Sequence, residues 1–308
     1  MSIIVQSTLT DAEKTKIIED FISEYETRVQ EECGHALDAL YRHGSYAFGK
    51  VNLDFPDLNY LLVVKKGAHP NIFLRHGQIL REMSNVIKEK AQVMVEFRPN
   101  RYIYPSKNDV GFEISIDPQY IHAEDGVGDV PFGWGWVLQG SLDTRKLVFG
   151  EDVLEKVVQP PLTTEYIIKY FPGCYSHIWL PLERAPVQYK MPDDYYLLLH
   201  EAYCVAKMSA IGWGVNLAMT EEEMESKAWL KYMFDKNELI PFYHERYDEK
   251  TAKNVEYMLN VRDHWMEYKH DTEVAIRMYQ VAYQIVMALK VKYGQICHDF
   301  FSSGRTLK

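Results

Sequence analysis

Two small residues and an acidic residue, close together in one stretch, have the chemistry of a phosphate-binding and metal-binding site. Gly44 and Ser45 form the pair, and Asp57, twelve positions after Ser45, opens an apolar run over residues 58–64 that is typical of a buried strand. Glycine lets the backbone approach a phosphate closely, and serine offers a hydroxyl and an N–H. Side chains two residues apart on a strand point to the same face, so Asp57 and Asn59 project together. The spacing predicts a turn that grips phosphate, placed beside a carboxylate that binds a metal ion.

This stretch, GSYAFG followed by PDLNYLLVV, resembles the signature of the nucleotidyltransferase superfamily, whose fold is polymerase-beta-like. In that family Gly-Ser precedes an Asp-x-Asp on the next strand, and this chain carries Asn59 where the second Asp is expected. A second segment, SLDTRKLVFGEDVL, is similar to the stretch that follows the catalytic core in bacterial small-molecule nucleotidyltransferases, including those that modify antibiotics. The likeness extends over about residues 12–155.

The resemblance implies a fold class, an activity and a cofactor. It implies an α+β chain in which a small mixed β-sheet domain precedes an all-α helical bundle domain. It implies magnesium-dependent transfer of a nucleoside monophosphate from a nucleoside triphosphate, with ATP as the expected donor, to a small-molecule acceptor. Gly44 and Ser45 would hold the β and γ phosphates. The family often has a basic residue where this chain has Phe48, so Lys50 or Arg42 would supply the phosphate contact, and we favour Lys50.

A metal ion at this site needs oxygen ligands, and the strand that begins at Asp57 supplies two of different charge. Asp57 brings a carboxylate, whereas Asn59 brings a neutral carbonyl oxygen that can also ligate magnesium. Asp54 does not replace the missing carboxylate by simple alternation, because Pro56 lies between it and the strand.

A further carboxylate should come from a neighbouring strand. Residues 110–117 alternate and are rich in strand formers, with Glu113 in the middle, Ser115 on the same face and Asp117 at the end. The family often has its third acid on such a strand, so we expect Glu113 to be both a metal ligand and a catalytic residue. Glu96, on the preceding predicted strand, is the rival.

Composition limits the acceptor and the location of the chain. A net charge of −10 over 308 residues argues against DNA or tRNA as acceptor and is compatible with a small or cationic molecule. The four cysteines are far apart and form no CxxC, which favours reduced thiols. The N-terminus lacks the pattern of a secretion signal, and no apolar run is long enough to span a membrane. These features predict a cytoplasmic protein.

The pattern of apolar residues divides the chain into two predicted domains, residues 1–158 and 159–308, with the boundary near a Pro-Pro pair. The first begins with a helix from Asp11 to about Cys33 after a capping box, and a helix near 71–90 and strands near 92–98 and 110–117 follow. The second shows helical spacing near 163–171, 192–211, 220–234, 248–268 and 271–293. Glu201, on the long helix at 192–211, is the candidate general base for an acceptor hydroxyl.

Two other functions remain open at this point. Asn59 and Phe48 are compatible with an inactive nucleotidyltransferase fold that binds a nucleotide or a protein partner. A third possibility is an interaction protein in which the first half is a structural mixed domain and the match around Asp57 is accidental. The three differ in whether nucleotide binds at all and in whether pyrophosphate is released.

Overall fold

The structure is a computed structural model that describes residues 9–97, 100–104, 112–122, 143–156, 163–188, 195–226, 231–232 and 235–307. Its contacts divide the chain into two compact units, Met1–Gln159 and Pro160–Lys308. The predicted domain boundary falls in a stretch outside the described residues. The division into domains at residues 158 and 159 stays a prediction.

The first unit combines one β-sheet with helices. Its elements, in chain order, are α1 (Asp11–Cys33), β1 (Leu37–His43), α2 (Gly44–Ala47), β2 (Asp57–Val64), α3 (Asn71–Ile87), β3 (Gln92–Phe97), β4 (Asn100–Tyr104), β5 (Glu113–His122) and β6 (Lys146–Gly150). Short 3₁₀ turns lie at Gly34–Ala36 and Val153–Lys156. The predicted capping box is confirmed, because Thr10 and Glu13 exchange side-chain to backbone hydrogen bonds at the start of α1.

The six strands form one mixed sheet in the order β4-β3-β5-β2-β1-β6. β5 is parallel to both β2 and β3, whereas β1 is antiparallel to β2 and β6. One sheet face is apolar and packs on α1 and α3, with Leu58, Leu62 and Ile114 against Phe21 and Ile79. This packing determines which side chains of β2 and β5 lie on the opposite face.

One strand of this unit differs in length from the sequence prediction. The first helix ends at Cys33 as predicted, and residues 37–43 then form β1, which is hydrogen-bonded on both sides by β2 and β6. β5 extends to His122, so Asp117 is an interior residue of this strand and the expectation that it ends the strand is wrong.

The second unit is helical throughout its described residues. Its elements are α4 (Thr164–Gln188), α5 (Tyr195–Lys207), a π-helical segment (Met208–Gly214), α6 (Val215–Ala218), α7 (Glu221–Glu225), α8 (Lys236–Arg246), α9 (Glu249–Asp263), α10 (Trp265–Tyr268) and α11 (Thr272–Ser302). α11 packs against α4, α5 and α9. The prediction of an α+β chain, with a small mixed sheet followed by a helical bundle, is confirmed.

Three details of the helical unit differ from the prediction. α4 continues to Gln188 although it contains Pro172, Pro181 and Pro186. The segment at 236–246 forms α8, which the apolar spacing did not reveal because its polar residues hide the stripe. On α11 the predicted buried stripe includes Ile276, but this residue is 40% exposed.

The four cysteines all fall within described residues and form no disulfide, and three of them are buried. None of the helices in the described ranges combines the length and the apolar character that crossing a lipid bilayer requires.

Candidate functional site

The face of the sheet opposite α1 and α3 carries the polar residues of β2. Leu58 and Tyr60 point into the core under the helices, so the alternation of the strand turns Asp57 and Asn59 to the other face. Both are partly exposed at the beginning of the strand, whereas residues 60–64 are buried. The alternation therefore places Asp57 and Asn59 on the same face, as the sequence predicts.

Strand β5 brings further acidic residues to this face. In the parallel register Asp57 is opposite Ser115 and Asn59 is opposite Asp117, while Glu113 lies two residues before Ser115. Side chains of register partners point to the same side of a sheet, so these five residues share one surface. We call this set, Asp57, Asn59, Glu113, Ser115 and Asp117, the acidic face.

Backbone spacing ranks the acids of β5 by their distance from β2. With strands about 4.8 Å apart and a rise of about 3.3 Å per residue, the Cα of Asp117 is about 5 Å from that of Asn59. The same spacing places Glu113 and Asp117 each about 8 Å from Asp57, but Glu113 about 14 Å from Asn59. Asp117 therefore completes a compact group with Asp57 and Asn59, and Glu113 reaches only the Asp57 end of it.

The carboxylates of β5 are buried and hydrogen-bonded to glutamines. Glu113 is 1% exposed and its Oε2 accepts from Gln92 Nε2 at 2.9 Å, while Asp117 is 3% exposed and its Oδ2 accepts from Gln119 Nε2 at 3.0 Å. Ser115, between them, is buried, and its Oγ has no hydrogen-bond partner in the described part of the chain. An oxygen without a partner beside Asp57 suits a site that is completed by a ligand.

Strand β3 places the predicted rival of Glu113 on the same surface. Gln92 is opposite Glu113 and Met94 is opposite Ser115, so the alternation continues to Glu96, which is 3% exposed. Glu96 therefore shares the face but is two strands from Asp57, since β5 lies between β3 and β2.

The Gly44–Ser45 turn lies at the end of β1, next to the start of the acidic face. His43 pairs with Asn59 across β1 and β2, and Gly44 follows it with φ +76°, a left-handed conformation that favours glycine. A Cβ at Gly44 would lie 3.0 Å from Asn59 Nδ2, so the turn rests directly on the Asn59 amide. The backbone N–H of Lys50 closes the turn by donating to the Ser45 carbonyl at 2.8 Å.

Arg42 and Lys50 are the alternatives for the phosphate contact, and Asp54 is the alternative to a second carboxylate on β2. The three residues have different surroundings. Arg42 donates two hydrogen bonds to Glu26 of α1, at 2.8 and 3.0 Å, on the helix-covered face. Asp54 forms an ion pair with Lys14 at 2.7 Å and does not substitute for a second carboxylate on β2. Lys50 is exposed beside the turn, and its role in phosphate binding stays a prediction.

Glu201, the predicted general base, belongs to the helical unit. It lies on α5 and is 3% exposed, so it is not a solvated surface glutamate. Its role stays a prediction.

Three residues of the site were missed or undervalued at the level of sequence. Asp117 was placed at a strand end, although the alternation Glu113, Ser115, Asp117 continues to Gln119 and could have extended the strand. His43 is buried on the same face as Asn59, a position that depends on the antiparallel pairing of β1 with β2. Thr144, whose Oγ1 accepts the N–H of Gly44 at 3.0 Å, comes from a segment one hundred residues later and leaves no local signal.

Comparison with known proteins finds a likeness in structure but none in sequence. No protein-family model matches the chain, and no curated protein matches it in sequence. Among solved structures, the chain is similar to the spectinomycin adenyltransferase AAD(9) from Enterococcus faecialis, crystallised with ATP and spectinomycin. The match has 11% identity and a TM-score of 0.44, and it covers 86% of this chain and 99% of that one. With so low an identity and TM-score, the likeness supports no inference about activity or about individual residues.

Proposed function

We propose that the chain is a magnesium-dependent nucleotidyltransferase that moves a nucleoside monophosphate, with ATP as donor, to a small-molecule acceptor. The observation that carries this proposal is the meeting of two features at the start of β2. The Gly44–Ser45 turn, suited to phosphate, rests on Asn59, and the acidic face, suited to a cation, begins with Asp57 on the same strand. A triphosphate that carries its own cation needs both features together.

The donor atoms of the acidic face fit a hard cation. Two carboxylates, from Asp57 and Asp117, and the amide carbonyl of Asn59 are oxygen ligands of the kind that magnesium prefers. Magnesium held by them would neutralise the charge on the triphosphate during transfer. Because Asp117 is the register partner of Asn59, we favour Asp117 over Glu113 as the third ligand. Glu113 is the competing assignment, since it is as close to Asp57 as Asp117 is.

The other proposed roles are binding of the phosphate groups and acceptance of a proton. The Ser45 hydroxyl and Lys50 would bind the terminal phosphates, and the left-handed Gly44 lets the backbone come close to them. Glu201 would accept the proton of the attacking acceptor hydroxyl. A net charge of −10 favours a small or cationic acceptor over a nucleic acid.

Calorimetric titration of the four ribonucleoside triphosphates, with and without magnesium, tests the binding step. The variants are Asp57→Ala, Asp117→Asn and Glu113→Gln. The matched control is Asp20→Asn, an exposed carboxylate on α1 in the same unit. We expect one nucleotide to bind only with magnesium, Asp57→Ala and Asp117→Asn to weaken it about 100-fold or more, and the control to bind as the wild type.

The two assignments of the third ligand give opposite results in this titration. A large loss in Glu113→Gln together with normal binding in Asp117→Asn would replace Asp117 by Glu113 in the site. If no nucleotide binds under either condition, the nucleotidyltransferase proposal is wrong and an interaction protein remains. Thermal unfolding of each variant separates loss of binding from loss of fold.

The transfer step needs its own readout. Release of pyrophosphate is measured with the nucleotide identified above and a panel of hydroxylated and cationic small molecules. We expect Glu201→Gln to abolish release while nucleotide affinity stays within about twofold of wild type, because a general base acts on the acceptor and not on nucleotide binding.

A second candidate function is nucleotide binding without catalysis. Asn59 favours it, because this side chain brings no negative charge to the acidic face and its Nδ2 lies 3.4 Å from the Asp57 carbonyl oxygen, to which it donates. The same titration and release assay distinguish it from the enzyme. Nucleotide binding that is independent of magnesium, with no pyrophosphate released for any acceptor, would support the inactive protein.

A further inference from the structure

A cavity of about 470 Å³ lies at the opposite end of β2 from the acidic face. It is bordered by the end of α1, the turn that follows Val64 and the beginning of α3. Its volume is within the range of pockets that bind small molecules. No residue of the acidic face or of the Gly44–Ser45 turn lines it.

The lining of this cavity is basic in a chain that is acidic overall. Lys65, Lys66 and Arg75 contribute positive charge, His35 and His69 are also part of the wall, and Glu32 is the single carboxylate among the lining residues. The chain as a whole has a net charge of −10. A local excess of positive charge against that background indicates a site for negatively charged ligands.

The single carboxylate of the wall is already neutralised. Arg28 Nε donates to Glu32 Oε1 at 2.9 Å, and Arg75 forms an ion pair with Glu32 from the other side. Arg75 also forms an ion pair with Glu82 of α3 at 3.4 Å, and Arg28 pairs with the same carboxylate. These two arginines and two glutamates therefore balance in charge, and Lys65 and Lys66 supply the excess positive charge of the wall. The Arg75 guanidinium, fixed by its partners, loses little side-chain freedom when a ligand binds.

Two further features hold the basic wall in position. The Lys65 ammonium donates to the backbone carbonyl of His35 at 3.1 Å, which ties the turn after β2 to the end of α1. The cavity also borders the first turn of the 17-residue α3, whose N-terminal end carries a partial positive charge. The hydrogen bond fixes the Lys65 ammonium, and the partial positive charge at the start of α3 adds to the preference for an anion.

We propose that this cavity binds a small molecule that carries phosphate groups, with two or more negative charges, independently of the acidic face. Lys65 lies eight positions after Asp57 along an extended strand, which corresponds to about 26 Å. One small ligand therefore cannot occupy both places. The cavity needs no metal ion, because its own side chains supply the positive charge.

Titration with inorganic pyrophosphate in the presence of EDTA tests the proposal, because chelation removes the magnesium that the acidic face would need. The variants are Lys65→Gln/Lys66→Gln and Lys66→Gln alone, which keeps the Lys65 hydrogen bond and guards against a folding defect. The matched control is Lys16→Gln/Lys253→Gln, two exposed lysines far from the cavity in sequence. Asp57→Ala reports on the acidic face.

We expect pyrophosphate to bind the wild type, the control and Asp57→Ala with equal affinity. Removal of both cavity lysines should weaken binding about tenfold or more, and Lys66→Gln should give an intermediate loss, because each removes a charge-assisted contact. Absence of binding to the wild type, or equal affinity in Lys65→Gln/Lys66→Gln and its control, would overturn the site. Citrate that binds as tightly as pyrophosphate would overturn the assignment to phosphate.

Discussion

The backbone N–H of Gly44 donates a hydrogen bond to Oγ1 of Thr144 at 3.0 Å. Thr144 is 5% exposed and immediately precedes Arg145, which forms an ion pair with Asp152 at 3.1 Å. Asp152 also accepts from the Tyr41 hydroxyl of β1 at 2.9 Å, so the segment that carries Thr144 is anchored to the sheet. The Gly44–Ser45 turn is thus held by a hydrogen bond to Thr144 and by contact with the Asn59 side chain.

Thr144→Val keeps the shape of the side chain and removes the acceptor of the Gly44 N–H. We expect the free energy of unfolding in urea to fall by about 1–2 kcal/mol, since a backbone donor loses its partner. Nucleotide affinity should fall as well, because the proposed phosphate turn is no longer fixed. Thr144→Ser, which restores the hydroxyl, should recover both quantities. Nucleotide binding at wild-type affinity in Thr144→Val would show that the turn does not depend on this bond.

Two glycines of the same turn give a matched pair of substitutions. Gly44 and Gly49 have nearly the same φ, +76° and +77°, so alanine costs about 1 kcal/mol or more of backbone strain at either position. A Cβ at Gly49 meets no atom within 4 Å, whereas at Gly44 it would lie 3.0 Å from Asn59 Nδ2. We expect Gly44→Ala to reduce stability in urea more than Gly49→Ala and to reduce nucleotide affinity where Gly49→Ala does not. Equal losses of stability and of nucleotide affinity in the two variants would mean that contact between Gly44 and Asn59 contributes to neither quantity.

The parts of the site that sequence could predict are those set by local alternation. Asp57 and Asn59 share a face, and Glu113 and Ser115 share one, because successive side chains of a strand point to opposite sides. The capping box at Thr10 and Glu13 is equally local. Neither observation needs knowledge of which strands are neighbours.

The parts that sequence missed depend on pairing between distant segments. Asp117 becomes the neighbour of Asn59 only through the parallel register of β2 and β5, which is a tertiary property. His43 becomes the neighbour of Asn59 only through the antiparallel pairing of β1 with β2. Thr144 reaches Gly44 across one hundred residues.

Gly214, at the end of the π-helical segment, leaves no room for a side chain. A Cβ there would overlap the hydroxyl of Tyr243, which donates to the Ala210 carbonyl at 2.7 Å. We expect Gly214→Ala to lower the thermal midpoint of unfolding strongly. The control Gly294→Ala, on α11, meets no atom within 4 Å and should stabilise by about 0.5–1 kcal/mol, because alanine favours a helix.

The overlap at Gly214 can be separated from a general effect on the helix by a double-mutant cycle. Tyr243→Phe removes the hydroxyl, so Gly214→Ala should cost less in that background than in the wild type. If the cost is the same in both backgrounds, the Tyr243 hydroxyl is not what excludes a side chain at Gly214.

The core between α1, α3 and the sheet contains a histidine with two tyrosine partners. His76 is fully buried, its Nε2 is 2.8 Å from the Tyr25 hydroxyl, and its Nδ1 contacts the Tyr120 hydroxyl. Burial lowers the pKa of His76 from its usual 6.5 to about 3. In the unfolded chain the same imidazole takes up a proton near pH 6.5. Protonation therefore favours the unfolded state over the interval between these two values.

The sign of this linkage gives the last prediction. Above pH 6.5 His76 is neutral in both states and adds no pH dependence; between pH 6.5 and about 3 it should lower stability as the pH falls, with a slope approaching about 1.4 kcal/mol per unit. Urea unfolding of the wild type and of His76→Gln at pH 7, 6, 5 and 4 measures how the free energy of unfolding changes with pH. The wild type should lose stability faster than the variant below pH 6.5. Parallel pH profiles for wild type and His76→Gln would mean that a proton reaches this imidazole in the folded protein as readily as in the unfolded chain.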